Sequence, residues 1–184
     1  ENCPNDEFRN TFKLPEYIYK MIENNWLGSK TDGGFYKRIK DENGKSTILS
    51  LNFETLEYSP EKNVTFETIS KARKISKVID RFSVLIEGQD KAGEFYRFNF
   101  GTMFSYIQNR IPEISNELYR IDDALRAGFG WKNGPFQIWD SLGLKKGVEI
   151  MESLGYKPAD WVSDMISNNI NNFYKVENGI TNYY

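Results

Sequence analysis

Apolar residues recur at helical spacing along most of the chain, and they alternate with polar residues only near its beginning. Side chains three or four positions apart share one face of a helix, so this spacing predicts amphipathic helices. The first helix is predicted at 14–25, where Pro15 suits the first helical position and Gly28 is expected to follow the end in a left-handed conformation. Further helices are predicted at 65–87, 90–110, 121–127, 135–142, 145–154 and 158–170.

The segment between the first two helices has the pattern of a β-meander. Strands are predicted at 35–40, 47–51 and 56–58, with a turn at 41–44 and an Asx-type turn at Asn52. The end of the chain, 168–184, is rich in Asn and aperiodic, and it is predicted to be a tail or linker. The fold class is therefore mainly α, with a small β-meander near residues 35–58.

The helix predicted at 90–110 is the most apolar of the set. Its large side chains suggest a helix buried on more than one side, as in a helix–helix core, and a cofactor-binding role is the less favoured interpretation. These side chains are Phe95, Phe98, Met103, Phe104, Tyr106 and Ile107.

Composition excludes several kinds of catalytic and metal site, because His is absent and Cys is rare. The 184 residues suggest one domain or two small ones. There is no His, which excludes Ser-His-Asp and Cys-His catalytic sites and His metal ligands. The single cysteine, Cys3, excludes an internal disulfide and a Cys zinc cluster.

Charge and hydropathy narrow the class of protein further. The net charge of −2 does not indicate the positive charge that nucleic-acid binding requires. No apolar run is long enough for a membrane span, and no signal peptide is evident, so a cytoplasmic location is expected. The chain begins at Glu1 without an initiator Met, and we expect that processing or trimming removed a preceding segment.

The glycines at 128–134 are compared with a dinucleotide-binding loop. Their spacing is G-x-G-x-x-x-G, with Asn133 where the third glycine is required, and a helix rather than a strand precedes them. A structural helix–helix turn is therefore predicted, with Pro135 beginning the next helix. Lys30 could contact a phosphate, but a solvated turn lysine is the favoured interpretation.

Four acidic residues could in principle serve a glycoside hydrolase, but no spacing distinguishes them from the other acids. They are Glu113, Glu117, Asp122 and Asp140. Asp122 and its neighbour Asp123 suit a helix start, and Asp140 suits a core hydrogen bond across the glycine turn. The amide of Asn109 could bind a ligand, although satisfying backbone groups near Pro112 is the favoured role.

Two series of residues resemble signatures of the 3-hydroxyacyl-CoA dehydrogenase family. WLGSKTDGGFY at 26–36 is similar to the W-L-G-x-K-T-x-x-G-F-Y signature that closes the family's first helical domain. A second series of motifs then follows in the order of the family's C-terminal helical domain: N-R, I-D-x-A, G-x-G and G-P-F-x-x-x-D-x-x-G. The matching residues are NR at 109–110, IDDA at 121–124, GFG at 128–130, GPF at 134–136 and DSLG at 140–143.

The resemblance covers roughly residues 12–162 and implies an architecture. Family members carry an N-terminal Rossmann domain that binds NAD, followed by one helical domain or two copies of it, and some are fused to an enoyl-CoA hydratase. On this basis 1–34 ends a preceding helical domain, 35–60 is a β-meander linker, 61–170 is the second helical copy, and 171–184 is a tail or linker.

The resemblance also implies a reaction and indicates which domain supplies the catalytic residues. The family oxidises an L-3-hydroxyacyl-CoA with hydride transfer to NAD, using a His and a Glu of the N-terminal domain. This chain has no His and no Rossmann fingerprint, so we expect it to be inactive alone and to bind no NAD or metal itself. Asn109 matches the asparagine that contacts substrate, although in the second copy that role is expected to be vestigial.

The implied partners are the missing Rossmann and first helical domains and the acyl-CoA substrate. Without those domains, the aromatic face of the long helix is expected to favour a homodimer. Two alternatives remain open at this point. One is a stand-alone helical interaction module without CoA binding, and the other is the carboxylate-dependent hydrolase.

Overall fold

A computed structural model describes residues 4–31, 33–40, 42–178 and 180–184. Cys3, Asp32 and Asp41, which enter the sequence analysis, lie outside these residues. The chain divides into two compact units, 1–64 and 65–184, which we call the first and second unit. No helix in the described ranges is both long and apolar enough to cross a membrane.

The first unit contains a short helix and a three-stranded antiparallel sheet. A 3₁₀ turn at Arg9–Phe12 precedes helix α1, Glu16–Glu23. The strands are β1, Tyr36–Lys40, β2, Ser46–Leu51, and β3, Tyr58–Pro60, in the order β1-β2-β3. The predicted meander is therefore confirmed, with β1 and β3 at the sheet edges.

The ends of the elements in the first unit differ from the prediction. Asn25, with φ 57°, is the left-handed residue after α1, whereas Gly28, with φ 130°, lies later and bridges to Gly33. The Asx turn is confirmed because Asn52 Oδ1 accepts from the N–H of Glu54 at 2.9 Å. Leu56, with φ 59°, belongs to this turn, so the third strand starts two residues later than predicted.

The second unit is a helical bundle. Its longest helix is α4, Lys91–Gln108, capped by Asp90, whose Oδ1 accepts from the Gly93 N–H at 3.1 Å. The others are α2, Glu67–Arg73; α3, Val78–Glu87; α5, Arg110–Glu113; α6, Leu118–Phe129; α7, Pro135–Leu142; α8, Leu144–Ser153; and α9, Asp160–Ser167. The mainly α fold class is confirmed.

Two predictions for this bundle are wrong. The helix predicted over 65–87 is interrupted between α2 and α3, where Arg81 Nε donates to the Ile75 carbonyl at 2.8 Å and holds it outside a helical ladder. Phe95 and Phe98, predicted to be buried, are 60% and 57% exposed. The rest of helix α4 is buried broadly, because it packs against α3, α7 and α8, and its buried residues include Phe100, Phe104 and Ser105.

The core of the second unit is a stack of aromatic rings. Phe104 of α4 and Trp139 of α7 are fully buried, with ring centroids 4.7 Å apart. The Trp139 Nε1–H donates to the Leu144 carbonyl at 3.1 Å, and any side chain at Gly147 would overlap the indole. Glycine at 147 therefore lets α8 pack closely against the tryptophan.

The end of the chain is a β-hairpin, so the prediction of an aperiodic tail at 168–184 is wrong. Strand β4, Tyr174–Glu177, pairs antiparallel with β5, Ile180–Tyr183. Phe173, just before the hairpin, is 1% exposed and contacts Phe136 and Trp139, with ring centroids 5.0 Å apart in each pair. Tertiary packing, rather than a periodic sequence, orders this segment.

Candidate functional site

Asp122 on α6 caps the amino end of α7. Its carboxylate oxygens accept from the backbone N–H groups of Phe136 at 2.8 Å and Gln137 at 3.1 Å. A side chain at Gly134 would overlap Asp122, so glycine there permits this approach. The capping role expected for Asp122 is thus present, although it serves the following helix rather than its own.

Asp140 on α7 holds the chain that leads into the hairpin. Its Oδ1 accepts from the Phe173 N–H at 2.7 Å, and its Oδ2 accepts from the Tyr174 N–H at 2.9 Å. The Tyr174 hydroxyl in turn donates to Asp122 Oδ2 at 2.9 Å. We call Asp122, Asp140 and Tyr174 the aspartate network. It joins α6, α7 and β4.

Burial dominates the titration of this network. It raises the pKa of Asp122 above the usual range, against the opposing hydrogen bonds from Phe136, Tyr174 and Gln137. Burial also raises the pKa of Asp140 to about 6, although the Phe173 and Tyr174 N–H groups favour the ionised form. Burial and the nearby Asp122 carboxylate raise the pKa of Tyr174.

The other two candidate acids have different partners. Glu113 accepts from Arg110 Nη1 at 2.7 Å. Glu117 pairs with Arg120 and accepts from the Tyr183 hydroxyl at 2.9 Å. Each of the four acids is thus engaged in holding local structure, which disfavours a glycosidase pair. Within the described residues no cluster of three or more His, Cys, Asp or Glu side chains could hold a metal ion.

Asn109 lies at the carboxyl end of α4 and is exposed. Its N–H donates to the Tyr106 carbonyl at 3.2 Å. Arg110, only 8% exposed, places its guanidinium 4.3 Å from the centroid of the Tyr106 ring. The Asn109 side chain is thus on the surface next to a buried cation, and contact with substrate stays a prediction.

Gln108 is a buried polar residue that the sequence analysis missed. Its Nε2 donates to the Lys157 carbonyl at 2.9 Å, and its Oε1 accepts from the Ala159 N–H at 2.8 Å. Its own carbonyl accepts from Trp161 Nε1 at 3.1 Å. These bonds fix the loop before α9 to α4. A glutamine at an apolar position of the longest helix was the available signal.

The glycine turn before α7 does not fit a dinucleotide. It joins two helices, with Gly130 ending α6 at φ 66°. The first N–H groups of α7, which would face a phosphate in a nucleotide loop, donate to Asp122 instead. This turn of the described chain therefore does not fit the phosphates of NAD.

Comparison with known proteins gives long matches to enzymes of one kind. The chain is 32% identical over 176 residues to the probable 3-hydroxyacyl-CoA dehydrogenase of Bacillus subtilis, a match that covers 96% of this chain. The chain belongs to the 3-hydroxyacyl-CoA dehydrogenase family. Putative fatty acid oxidation complex trifunctional enzymes of Rickettsia prowazekii and Rickettsia felis are each 26% identical, over 79% and 73% of the chain.

The matches cover only a part of these relatives. The chain spans 22% of the length of the dehydrogenase and 18% and 17% of the two trifunctional enzymes. No family profile matches the chain, and no solved structure matches it. The family resemblance drawn from the sequence signatures is nevertheless confirmed.

The family-signature residues of the second unit have structural roles in this chain. Asp122 and Gly134 form the α6–α7 junction, Asp140 anchors the hairpin, and Gly143 ends α7 with φ 92°. The signature in this dehydrogenase segment therefore specifies how the helices pack.

Proposed function

We propose that this chain forms the non-catalytic helical part of an NAD-dependent L-3-hydroxyacyl-CoA dehydrogenase of fatty-acid β-oxidation. It would pack on the catalytic half and help to form the acyl-CoA cleft or a dimer interface, in the cytoplasm. The observation that carries the proposal is the 32% identity to a probable 3-hydroxyacyl-CoA dehydrogenase across 176 residues.

The side-chain chemistry of the chain supports a non-catalytic role. Oxidation of a hydroxyl requires a base that accepts the hydroxyl proton while hydride leaves the carbon. The sequence contains no His, and the candidate acids Asp122 and Asp140 accept hydrogen bonds from backbone N–H groups. We therefore assign NAD binding and proton abstraction to the Rossmann domain and first helical domain of a longer polypeptide.

Asn109 is the residue of this chain that we propose to contact acyl-CoA. It is exposed at the end of α4, and the neighbouring Arg110 is fixed by Tyr106 and Glu113. An exposed amide offers both a donor and an acceptor, which suits recognition of a carbonyl or hydroxyl group. The Asn109→Ala variant of the complete enzyme is expected to raise the KM for acyl-CoA while the KM for NAD stays unchanged.

The proposal is tested by assaying hydride transfer in the longest polypeptide encoded by the same reading frame. NADH formation from an L-3-hydroxyacyl-CoA and NAD is expected for that polypeptide and not for the 184-residue chain. The Asn99→Ala variant, at another exposed amide of α4, is the matched control for Asn109→Ala. Turnover by the 184-residue chain, or an inactive complete polypeptide, would contradict the proposal.

A further inference from the structure

A groove of about 430 Å³ runs along β1 in the first unit. The residues that line it include Ser29 and Thr31 of the preceding loop, Lys37 and Arg38 of β1, and Ile48 of β2. β1 is an edge strand, and the groove extends from the preceding loop across β1 to Ile48, the cross-strand partner of Arg38. Adjacent residues of a strand point to opposite faces, and a groove at the edge can be lined by both Lys37 and Arg38.

Among the described residues, no carboxylate neutralises the two cations of the groove. In the described ranges no carboxylate forms an ion pair with Lys37 or Arg38. Other surface cations of the chain do have such partners, including Lys20 with Glu16 at 2.8 Å and Lys71 with Glu67 at 2.7 Å. Within the described part of the chain, these two positive charges therefore have no carboxylate partner and can attract an anion.

Lys37 is also held in place. Its side chain is half-buried, and its ammonium lies 5.7 Å from the centroid of the Tyr58 ring. The Tyr58 hydroxyl donates to the Gly34 carbonyl at 2.6 Å, which fixes the ring. A cation ordered before binding loses less entropy when a ligand arrives.

We propose that this groove binds the phosphate groups of an anionic ligand. Arg38 offers a planar pair of N–H donors that matches phosphate oxygens, and Lys37 adds a point charge. The Ser29 hydroxyl adds a neutral donor, and the edge strand adds backbone N–H groups without a strand partner. Pyrophosphate is the simplest probe that carries two linked phosphates.

The loop that supplies Ser29 explains why these donors meet. The Thr31 hydroxyl accepts from the Leu27 N–H at 3.0 Å and lies 3.0 Å from the Gly28 carbonyl, and the Gly28 N–H donates to the Gly33 carbonyl at 2.8 Å. These bonds close the loop beside β1. Lys30, the sequence-based phosphate candidate, does not line the groove in the described structure.

The experiment is calorimetric titration of the 184-residue chain with inorganic pyrophosphate at constant ionic strength. Saturable binding is expected, and it should weaken as salt increases because the contacts are electrostatic. The double variant K37Q/R38Q is expected to weaken binding by at least about tenfold, because it removes both charge-assisted contacts. The charge-preserving variant K37R/R38K should retain measurable binding.

The matched control is K13Q/K40Q, which removes the same charge from the first unit outside the groove. It should bind pyrophosphate like the unchanged chain. A parallel titration with CoA asks whether the phosphates of a larger ligand enter the same groove, which K37Q/R38Q would then weaken equally.

Absence of saturable binding of both pyrophosphate and CoA would overturn the proposal, as would equal weakening by K13Q/K40Q. Circular dichroism of each variant shows whether the fold is retained, and the charge-preserving variant keeps the test valid if K37Q/R38Q unfolds. Failure here leaves the dehydrogenase proposal intact, because that proposal is judged by hydride transfer in the longer polypeptide.

Discussion

Individual polar residues carry much of the specificity of the second unit. The buried Asp122 and Gln108 and the half-buried Asp140 each accept backbone N–H groups far along the chain. A buried acceptor without its donors costs free energy, so these residues select one packing of the helices over others.

Asp140 makes stability depend on pH. Its pKa is raised to about 6 in the folded chain, so the folded state holds a proton there that the unfolded state has released between about pH 4 and 6. The free energy of unfolding should therefore fall as pH rises through that window, by at most about 1.4 kcal/mol per pH unit, and then level off. Urea unfolding at a series of pH values measures this slope.

The Asp140→Asn variant should show a smaller slope because that group no longer titrates. Some slope should remain, since the pKa of Asp122 is also raised. Asp164→Asn, at an exposed position on α9, is the control against which the slope of Asp140→Asn is compared. If the Asp140→Asn variant kept the full slope, Asp140 would not be the group that makes stability depend on pH.

Asp122 should matter more for stability than a surface cap. Asp122→Ala leaves the Phe136 and Gln137 N–H groups and the Tyr174 hydroxyl without their acceptor, and a loss of about 3 kcal/mol is expected. Asp122→Asn keeps an acceptor and should lose less. Denaturant midpoints of the two variants give the comparison, and equal losses would contradict a capping role.

At the scale of elements, periodicity predicted the strongly amphipathic helices well. It predicted poorly the elements that depend on contacts with distant parts of the chain. Helix α7 was predicted at its observed bounds, because Pro135 and the apolar spacing both specify it locally. The hairpin was missed because Val176 is exposed and its strands are held by Phe173 and Asp140 instead. The 65–87 interruption contains no Gly or Pro, and an Arg81 side chain maintains it.

The residues of the candidate site could be predicted from the sequence, but their long-range contacts could not. The aspartates stood out because the family signature contains them, and their distance in sequence from their donors hid their roles. Asp140 and Phe173 are 33 positions apart. No local pattern reports such a contact, and Gln108 was missed for the same reason, with its acceptor role 51 positions away at Ala159.

Close contact between α7 and α8 depends on a glycine. Gly147→Ala would place a methyl group against the Trp139 indole, whose Nε1–H bond to Leu144 leaves it no room to move. We expect a loss of about 1–3 kcal/mol, as for other overpacked cores. Thermal unfolding measures it, with Gly128→Ala, where no atom lies within 4 Å, as the control.

At the scale of the whole molecule, helix α4 carries an exposed aromatic face. Phe95 and Phe98 are separated by one helical turn, so they present one apolar patch. Removing such a patch from water favours association, and we expect the 184-residue chain to dimerise through it.

Light scattering across micromolar concentrations measures the mass of the chain. A concentration-dependent dimer is expected, and the F95S/F98S variant should remain monomeric. Phe129→Ser, at an exposed position on α6, removes a comparable ring elsewhere and should still dimerise. A monomer at every concentration would count against this interface.

The aspartate-anchored hairpin also has a consequence for biosynthesis. A protein is synthesised from its amino end, so α6 and α7 leave the ribosome well before Phe173 and Tyr174. Until then Phe136 and Trp139 lack one aromatic neighbour, and Asp140 lacks both of its donors. The second unit therefore completes its core only as its last twelve residues are synthesised, which makes a nascent chain stalled before residue 173 a natural client for a chaperone.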